Sequence, residues 1–260
     1  MQKEKSFVVN LQRTTIKNPL IKACCFAAIL LLPTVNAHAQ HSYGSTGLLR
    51  MPSAMMQEDK TFMIGTNYMP QESLPYVWKY NSYNYFLNFT LFPFLEISYT
   101  CTLFKMKYPE NKKFNNQDRF FSARLRLLKE GKYYPSVVIG SNDFASTLTT
   151  KQVKVKETGN GYFNRYYLAL SKNFQIKKEN LSLHLAYLYN NRKYDKLNGV
   201  AVGLDYAPSF LPHFDLMAEF DSKDFNIGCN YLLAKHYNFF FQLYDMHIPC
   251  GGFSFIYTIR

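Results

Sequence analysis

Along most of this chain, apolar and polar residues alternate one for one. In Tyr83–Leu91 the apolar phase is Tyr83, Tyr85, Leu87, Phe89 and Leu91, opposed by Asn84, Asn88 and Thr90, and Phe86 alone breaks the rule. The next segment repeats the pattern, with Leu95, Ile97, Tyr99, Cys101 and Leu103 against Glu96, Ser98, Thr100 and Thr102. A period of two marks a strand, whose successive side chains point to opposite faces. Carried along the sequence, it predicts further strands at Thr61–Tyr68, Arg119–Leu128, Pro135–Ser141, Phe163–Phe174, Leu181–Tyr189, Val200–Tyr206, Phe214–Phe220, Phe225–Leu233, Tyr237–Leu243 and Phe253–Ile259. No comparable window carries a 3.6-residue period, so the chain is predicted to be all-β with about twelve strands of ~7–11 residues.

The connections fall into two kinds. Phe92-Pro93-Phe94, Pro208–His213, Ser222-Lys223 and Ala234-Lys235-His236 are tight, whereas Lys105–Gln117, Ser146–Gly161 and Asn190–Asn198 are longer and polar. Short turns alternating with long polar loops are expected of a closed antiparallel up-and-down barrel whose rims face different compartments.

Composition then decides what surrounds the barrel. The 260 residues include 21 Tyr, 23 Phe and 1 Trp, so aromatics make 17% of the chain against 18% charged residues. The mean hydropathy of −0.24 excludes a polytopic helical membrane protein, and an apolar fraction of 47% excludes disorder. In a soluble barrel the apolar phase packs inward and the outer phase carries Lys and Glu. Here Tyr83, Tyr85, Tyr99, Tyr187, Tyr189, Tyr206, Tyr231 and Tyr257 sit on the apolar phase near strand ends, opposite Gly, Ser, Asn and Thr. Aromatic girdles around a lipid-facing surface fit that arrangement, and the expected fold is a transmembrane barrel.

The first residues read as an export signal. Lys3, Lys5, Arg13, Lys17 and Lys22 precede the short apolar run Ala23–Pro33, and Ala37-His38-Ala39 is a small-x-small cleavage pattern. The organisation expected is a signal peptide at 1–39, an N-terminal segment at 40–60 and a barrel at 61–260. Removal of the leader lowers the formal charge from +12 to +8, since it takes five basic residues and Glu4 with it. Three cysteines remain, Cys101, Cys229 and Cys250, with no metal-binding spacing, and Cys101 and Cys229 read as small hydrophobes. Neither a cofactor nor a metal site is expected.

Candidate chemistry lies on the polar phase. Arg124 and Arg126 share one face of a strand, Glu219 and Asp221 form an acidic pair on another, and Glu96 and Asp143 add to the acidic set. Such residues line a polar channel or hold a charged glycan; alternatively they pair with one another and close the lumen. Gly44–Ala54 precedes the first strand and is small and flexible, suited either to enter the lumen or to cap the periplasmic mouth. A hydrolytic pair Ser182/His184 on one strand face is disfavoured, because residues two apart lie roughly 6–7 Å from each other. Lysines are spread over loops (Lys105, Lys107, Lys112, Lys113, Lys151, Lys154, Lys156) instead of forming a stripe, which argues against nucleic acid and for attraction to anionic lipopolysaccharide or acidic polysaccharide.

Four blocks carry a family resemblance. Tyr43-Gly-Ser-Thr-Gly-Leu-Leu-Arg-Met-Pro-Ser-Ala54, with Gly44, Thr46, Gly47 and Pro52, resembles the opening motif of the YjbH family. Phe121–Phe144, Tyr166–Lys172 and Ala218–Tyr231 follow in the same order along that family's pattern. The resemblance implies a single outer-membrane barrel of a Gram-negative cell, non-catalytic, working in exopolysaccharide or capsule secretion or assembly. Outer-membrane lipid, the polysaccharide and other envelope secretion proteins are the partners it implies. A soluble periplasmic β-protein binding glycan or an envelope partner, and a barrel enzyme acting on lipid, are the competing readings.

Overall fold

The computed structural model describes residues 41–74, 80–107, 113–146, 163–190 and 197–259. The expected leader, Lys112, and the lysines of the 147–162 stretch lie outside them. Twelve strands follow in order: β1 Thr61–Met69, β2 Ser82–Phe92, β3 Leu95–Lys107, β4 Lys113–Leu128, β5 Ser136–Ser146, β6 Arg165–Ile176, β7 Glu179–Tyr189, β8 Gly199–Ala207, β9 Phe214–Phe220, β10 Phe225–Leu233, β11 Tyr237–Tyr244 and β12 Ile248–Thr258. Each pairs antiparallel with its sequence neighbours, and β1 pairs with β12 from Thr61↔Thr258 to Tyr68↔Gly251, which closes the sheet. Closure leaves no strand edge with unpaired backbone groups, the condition for a sheet in lipid.

The apolar phase faces out. Leu87, Leu185, Val202 and Phe239 are each 42–50% exposed, while their strand neighbours Asn88, Ala186, Ala201 and Asn238 are buried. Large apolar side chains around the whole outer wall would be an aggregation surface in water and are the expected surface in hydrocarbon. Aromatics mark both rims. Tyr83, Tyr85, Tyr166, Tyr187 and Tyr189 ring the end that carries the longer connections, and Phe92, Phe94, Phe174, Tyr231, Tyr237 and Tyr257 ring the other. Among the described residues, no helix is long and apolar enough to cross a membrane.

Local departures from the sequence reading have physical causes. Much of the expected loop Lys105–Gln117 is strand, because β3 and β4 stay paired out to Lys107↔Lys113. Polar composition there hid a ladder that runs on past the apolar band, and it puts Lys105, Lys107 and Lys113 on strands. β5 runs on past Ser141 through an irregularity in its pairing with β4, where Asp143 takes φ 55°. The tight turn at Ser222-Lys223 joins β9 to β10 and therefore lies on the same rim as the longer connections. The asymmetry between rims accordingly belongs to the first eight strands.

Candidate functional site

The lumen is filled by the chain's own N-terminal segment. Every residue from His41 to Gln57 is buried except half-buried Met55. The segment folds back on itself: the Ser42 N–H donates to the Leu49 carbonyl at 2.9 Å, the Leu48 N–H to the Met51 carbonyl at 3.2 Å, and Gly47 bridges Pro52. Gly44 makes the turn possible, with φ +84° and a Cβ position only 2.4 Å from the Phe86 Cβ. Phe86, the residue that broke the alternation, is thereby explained: it turns inward to pack against the segment.

Apolar side chains of the segment meet small wall residues. Leu48, Leu49, Met51 and Met56 pack among Ala169, Ala186, Ala201 and Met217. At Gly203 a Cβ would lie 2.5 Å from Leu48 Cδ2, so the wall is recessed where the leucine sits. The contact is close-packed, which is how interiors gain dispersion energy.

Polar side chains of the wall hold the segment's backbone. The Glu219 carboxylate accepts the N–H groups of three consecutive residues, Leu49 at 3.0 Å, Arg50 at 2.7 Å and Met51 at 3.1 Å, and the Asn226 amide at 3.0 Å. Glu96 accepts the Thr46 N–H at 2.9 Å, the Thr46 hydroxyl at 2.8 Å and the Asn88 amide at 2.7 Å, and is paired with Arg124 at 3.0 Å. Arg124 in turn donates to the carbonyls of Ser53 and Met55. Asn67 and Asn84 both donate to the Ser42 carbonyl, Thr100 to the Tyr43 carbonyl, and the Ala54 N–H donates to Ser171 Oγ at 2.7 Å. Buried backbone groups of an irregular segment must find partners, and here the barrel wall supplies them.

At the far end, charge and aromatic rings enclose Arg50 and His41. The Arg50 guanidinium lies 4.2 Å from the centre of the Tyr244 ring, donates to the Tyr43 hydroxyl at 2.8 Å and is 3.7 Å from Asp221. His41 Nδ1 accepts the Tyr43 N–H at 3.1 Å, which leaves Nε2 to donate to the Arg50 carbonyl, the same carbonyl that Arg165 donates to at 3.0 Å. Burial and the nearby Arg165 charge both push the His41 imidazole well below its ordinary range, so it is held neutral.

The residues singled out in sequence are thus distributed unequally. Glu96, Arg124, Glu219, Asp221, Gly44, Thr46, Gly47 and Pro52 meet within the lumen. Arg126 diverges from Arg124, donating to the Pro93 carbonyl at the turn between β2 and β3. Asp143 is buried at the β5 irregularity, its N–H donating to Ser122 Oγ and its carbonyl accepting from Asn164. Glu219 meets backbone amides rather than a cation of the wall. Ser182 and His184 do not pair: Ser182 donates to Asn173, while His184 Nδ1 lies 2.7 Å from Ser171 Oγ on the adjacent strand. Arg50, His41, Arg165 and the asparagines were missed in sequence, although Asn84 and Asn88 share a face at every second position of β2. The three described cysteines are free thiols, and among the described residues no group of three or more His, Cys, Asp or Glu is placed to hold a metal.

Comparison with known proteins gives one family match and several distant structural likenesses. Among solved structures the chain is similar to the outer membrane phospholipase (OMPLA) dimer of Salmonella typhi with bound calcium, at 11% identity and a TM-score of 0.34 over 76% of this chain and 89% of that one. It is also similar to outer membrane phospholipase A from Escherichia coli, at 12% identity and a TM-score of 0.31 over 78% of this chain and 98% of that one. No curated protein matches the sequence. Residues 39–227 match the family model described as an exopolysaccharide biosynthesis protein, a stretch that runs from the buried N-terminal segment into β10. On that match, which takes in well over half of the sequence, the chain belongs to the YjbH family.

Proposed function

We propose that this protein is a non-catalytic outer-membrane barrel that serves secretion or assembly of an exopolysaccharide, with residues 41–57 acting as a removable stopper. The observation that carries the reading is how the segment is held. Its backbone is secured by side chains of Glu219, Glu96, Arg124 and the lumen asparagines, not by strand pairing to the wall. Such contacts can be undone without opening a ladder, so the lumen can empty while the barrel stays closed. The family supplies the polysaccharide, and the outward apolar face supplies the membrane. Lipopolysaccharide around the wall and other envelope secretion proteins are the partners that fit.

A locked stopper tests this. Cysteines at Ala54 and Ser171, whose backbone N–H and hydroxyl are 2.7 Å apart, would tie the segment to β6 once thiol counting verifies the bond. In cells lacking the native gene, the locked form is expected to reach the outer membrane and abolish polysaccharide release, with reductant restoring it. Full release from the locked form would overturn the stopper, and extraction of the protein in plain buffer would overturn the membrane placement.

One observation favours a second reading. A serine hydroxyl 2.7 Å from an imidazole, as at Ser171 and His184, is the contact a nucleophile and its base require. Both residues are buried beneath Ala54, so substrate would reach them only after the segment leaves. Ser171→Ala with a lipid-release assay discriminates: activity that survives the substitution removes this reading.

A further inference from the structure

Emptying the lumen would change its charge, and the sign follows from the wall. Beside Glu96, Glu219 and Asp221, the described strands and turns turn Asp205 and Asp215 inward; against these five carboxylates stand three guanidiniums, Arg124, Arg126 and Arg165. Among the described residues the excess is two negative charges once Arg50 has left with its segment. The basic loops at the rim had suggested affinity for anions, but the passage itself has the opposite sign.

A second observation points to what the wall would bind. Toward the rim of short turns, below the level where Leu48 packs on Gly203, four adjacent strands present polar side chains side by side. Asp205 is directly across from Ser182, and Asp215 directly across from Asn230. Asp205 and Asp215 lie on one diagonal of the β8–β9 ladder, whose register is Asp205↔Met217, within reach of a shared ligand. Asn230 is fully buried against Asp215, yet its amide oxygen has no hydrogen-bond partner, and one oxygen each of Asp205 and Asp215 is likewise unmet. Buried polar groups without partners are costly and mark a place where a polar ligand belongs. Acceptors predominate in this cluster, so the ligand it suits is a donor carrying positive charge.

From these we infer that the lumen vacated by residues 41–57 is cation-selective, and that it admits glycans bearing free amino groups while turning away carboxylated or sulfated ones. The inference rests on the stopper reading and adds the class of sugar. Charges fixed in a narrow, low-dielectric wall focus the field along the axis, so an excess of two acts on every ion that passes.

Planar-bilayer recording tests it. The lumen is opened in two independent ways, by deleting residues 41–57 and by exposing the full chain to urea mild enough to leave its heat-modifiable gel mobility intact. Under a potassium chloride gradient the reversal potential is expected to show potassium favoured several-fold over chloride. The pair Asp205→Asn and Asp215→Asn together should bring that ratio toward unity. Glucosamine oligomers should block the current in steps, and galacturonate oligomers of the same length should not. Chloride preference, or block by galacturonate alone, would overturn the inference and leave the stopper standing. A folded barrel that conducts under neither treatment would overturn the stopper and the inference with it.

Discussion

Glu219→Gln is the sharpest single perturbation of the closed lumen. The carboxylate receives three successive backbone N–H groups and the Asn226 amide, so each of its oxygens is in use. Glutamine preserves the shape but places an NH2 group against at least one N–H, most mildly that of Leu49. An orphaned buried donor costs about 1–3 kcal/mol, and charge-assisted bonds are roughly twice as strong as neutral ones, so the remaining contacts weaken as well. A combined loss of about 2–4 kcal/mol raises the undocked-to-docked ratio about 30- to 700-fold, at 1.4 kcal/mol per tenfold. The readout is tryptic cleavage after Arg50, which is buried when the segment is docked. Glu130→Gln, in the exposed Lys172–Asn173 network at a turn, serves as the control and should leave cleavage unchanged. If Glu219→Gln and Glu130→Gln are cleaved at the same rate in folded barrels, the carboxylate is not what holds the segment.

Other substitutions probe neighbouring parts of the same design. Arg124→Ala leaves Glu96 buried without its cation and frees the Ser53 and Met55 carbonyls; a loss of about 3–5 kcal/mol is expected, read as a lowered urea midpoint for segment release. Gly44→Ala forces a side chain into a left-handed conformation against Phe86 and should cost about 1–3 kcal/mol, with Phe86→Ala recovering part of it in a double-mutant cycle. His41 is held neutral in the fold and released to its ordinary range when undocked, so the undocked state binds more protons. Docking is therefore at full strength above about pH 6.5 and weakens as pH falls below it, a trend that proteolysis across a pH series would show and that His41→Asn should flatten. On the outer wall, Val202→Lys should cost about 2–4 kcal/mol of barrel stability near mid-strand, measured by refolding into lipid vesicles.

Most of the barrel was legible in the sequence because strand alternation is a local signal. Tyr83 to Leu91 reveals its two faces without reference to any other strand, and the outward direction followed from where Tyr and Phe fell. The segment 41–57 carried no such signal. Its structure depends on partners more than 100 residues away, such as Glu219 for Arg50 and Ser171 for Ala54, and no period in the sequence encodes that pairing. Phe86 held the one local hint, an aromatic on the polar phase, and it became interpretable only with Gly44 against it. The pairing of charges was legible only in part, as Arg124 with Glu96, for a related reason. Arg124 and Arg126 share a strand face, but only Arg124 lies deep enough to meet Glu96, and depth along the barrel axis is set by the register between strands.

The manner of attachment also explains why the polar phase has its composition. A pore that merely needed water inside would tolerate any hydrophilic wall, yet Asn67, Asn84, Asn88, Thr100 and Ser171 each address a particular backbone group of the segment. Because the segment joins β1 directly through residues 58–60, redocking is intramolecular and proceeds at an effective concentration near the millimolar range for so short a tether. Weak individual bonds then suffice to keep the lumen shut, and the loss of one latch shifts the balance without abolishing it. A stopper built this way opens by degrees as latches are removed. Glu219→Gln combined with Arg124→Ala should accordingly cost close to the sum of their separate effects, since Glu219 holds Leu49–Met51, Arg124 holds Ser53 and Met55, and the two share no partner. Equal release from the single and double variants would mean that the segment leaves through one decisive contact, and the distributed latch would have to be abandoned.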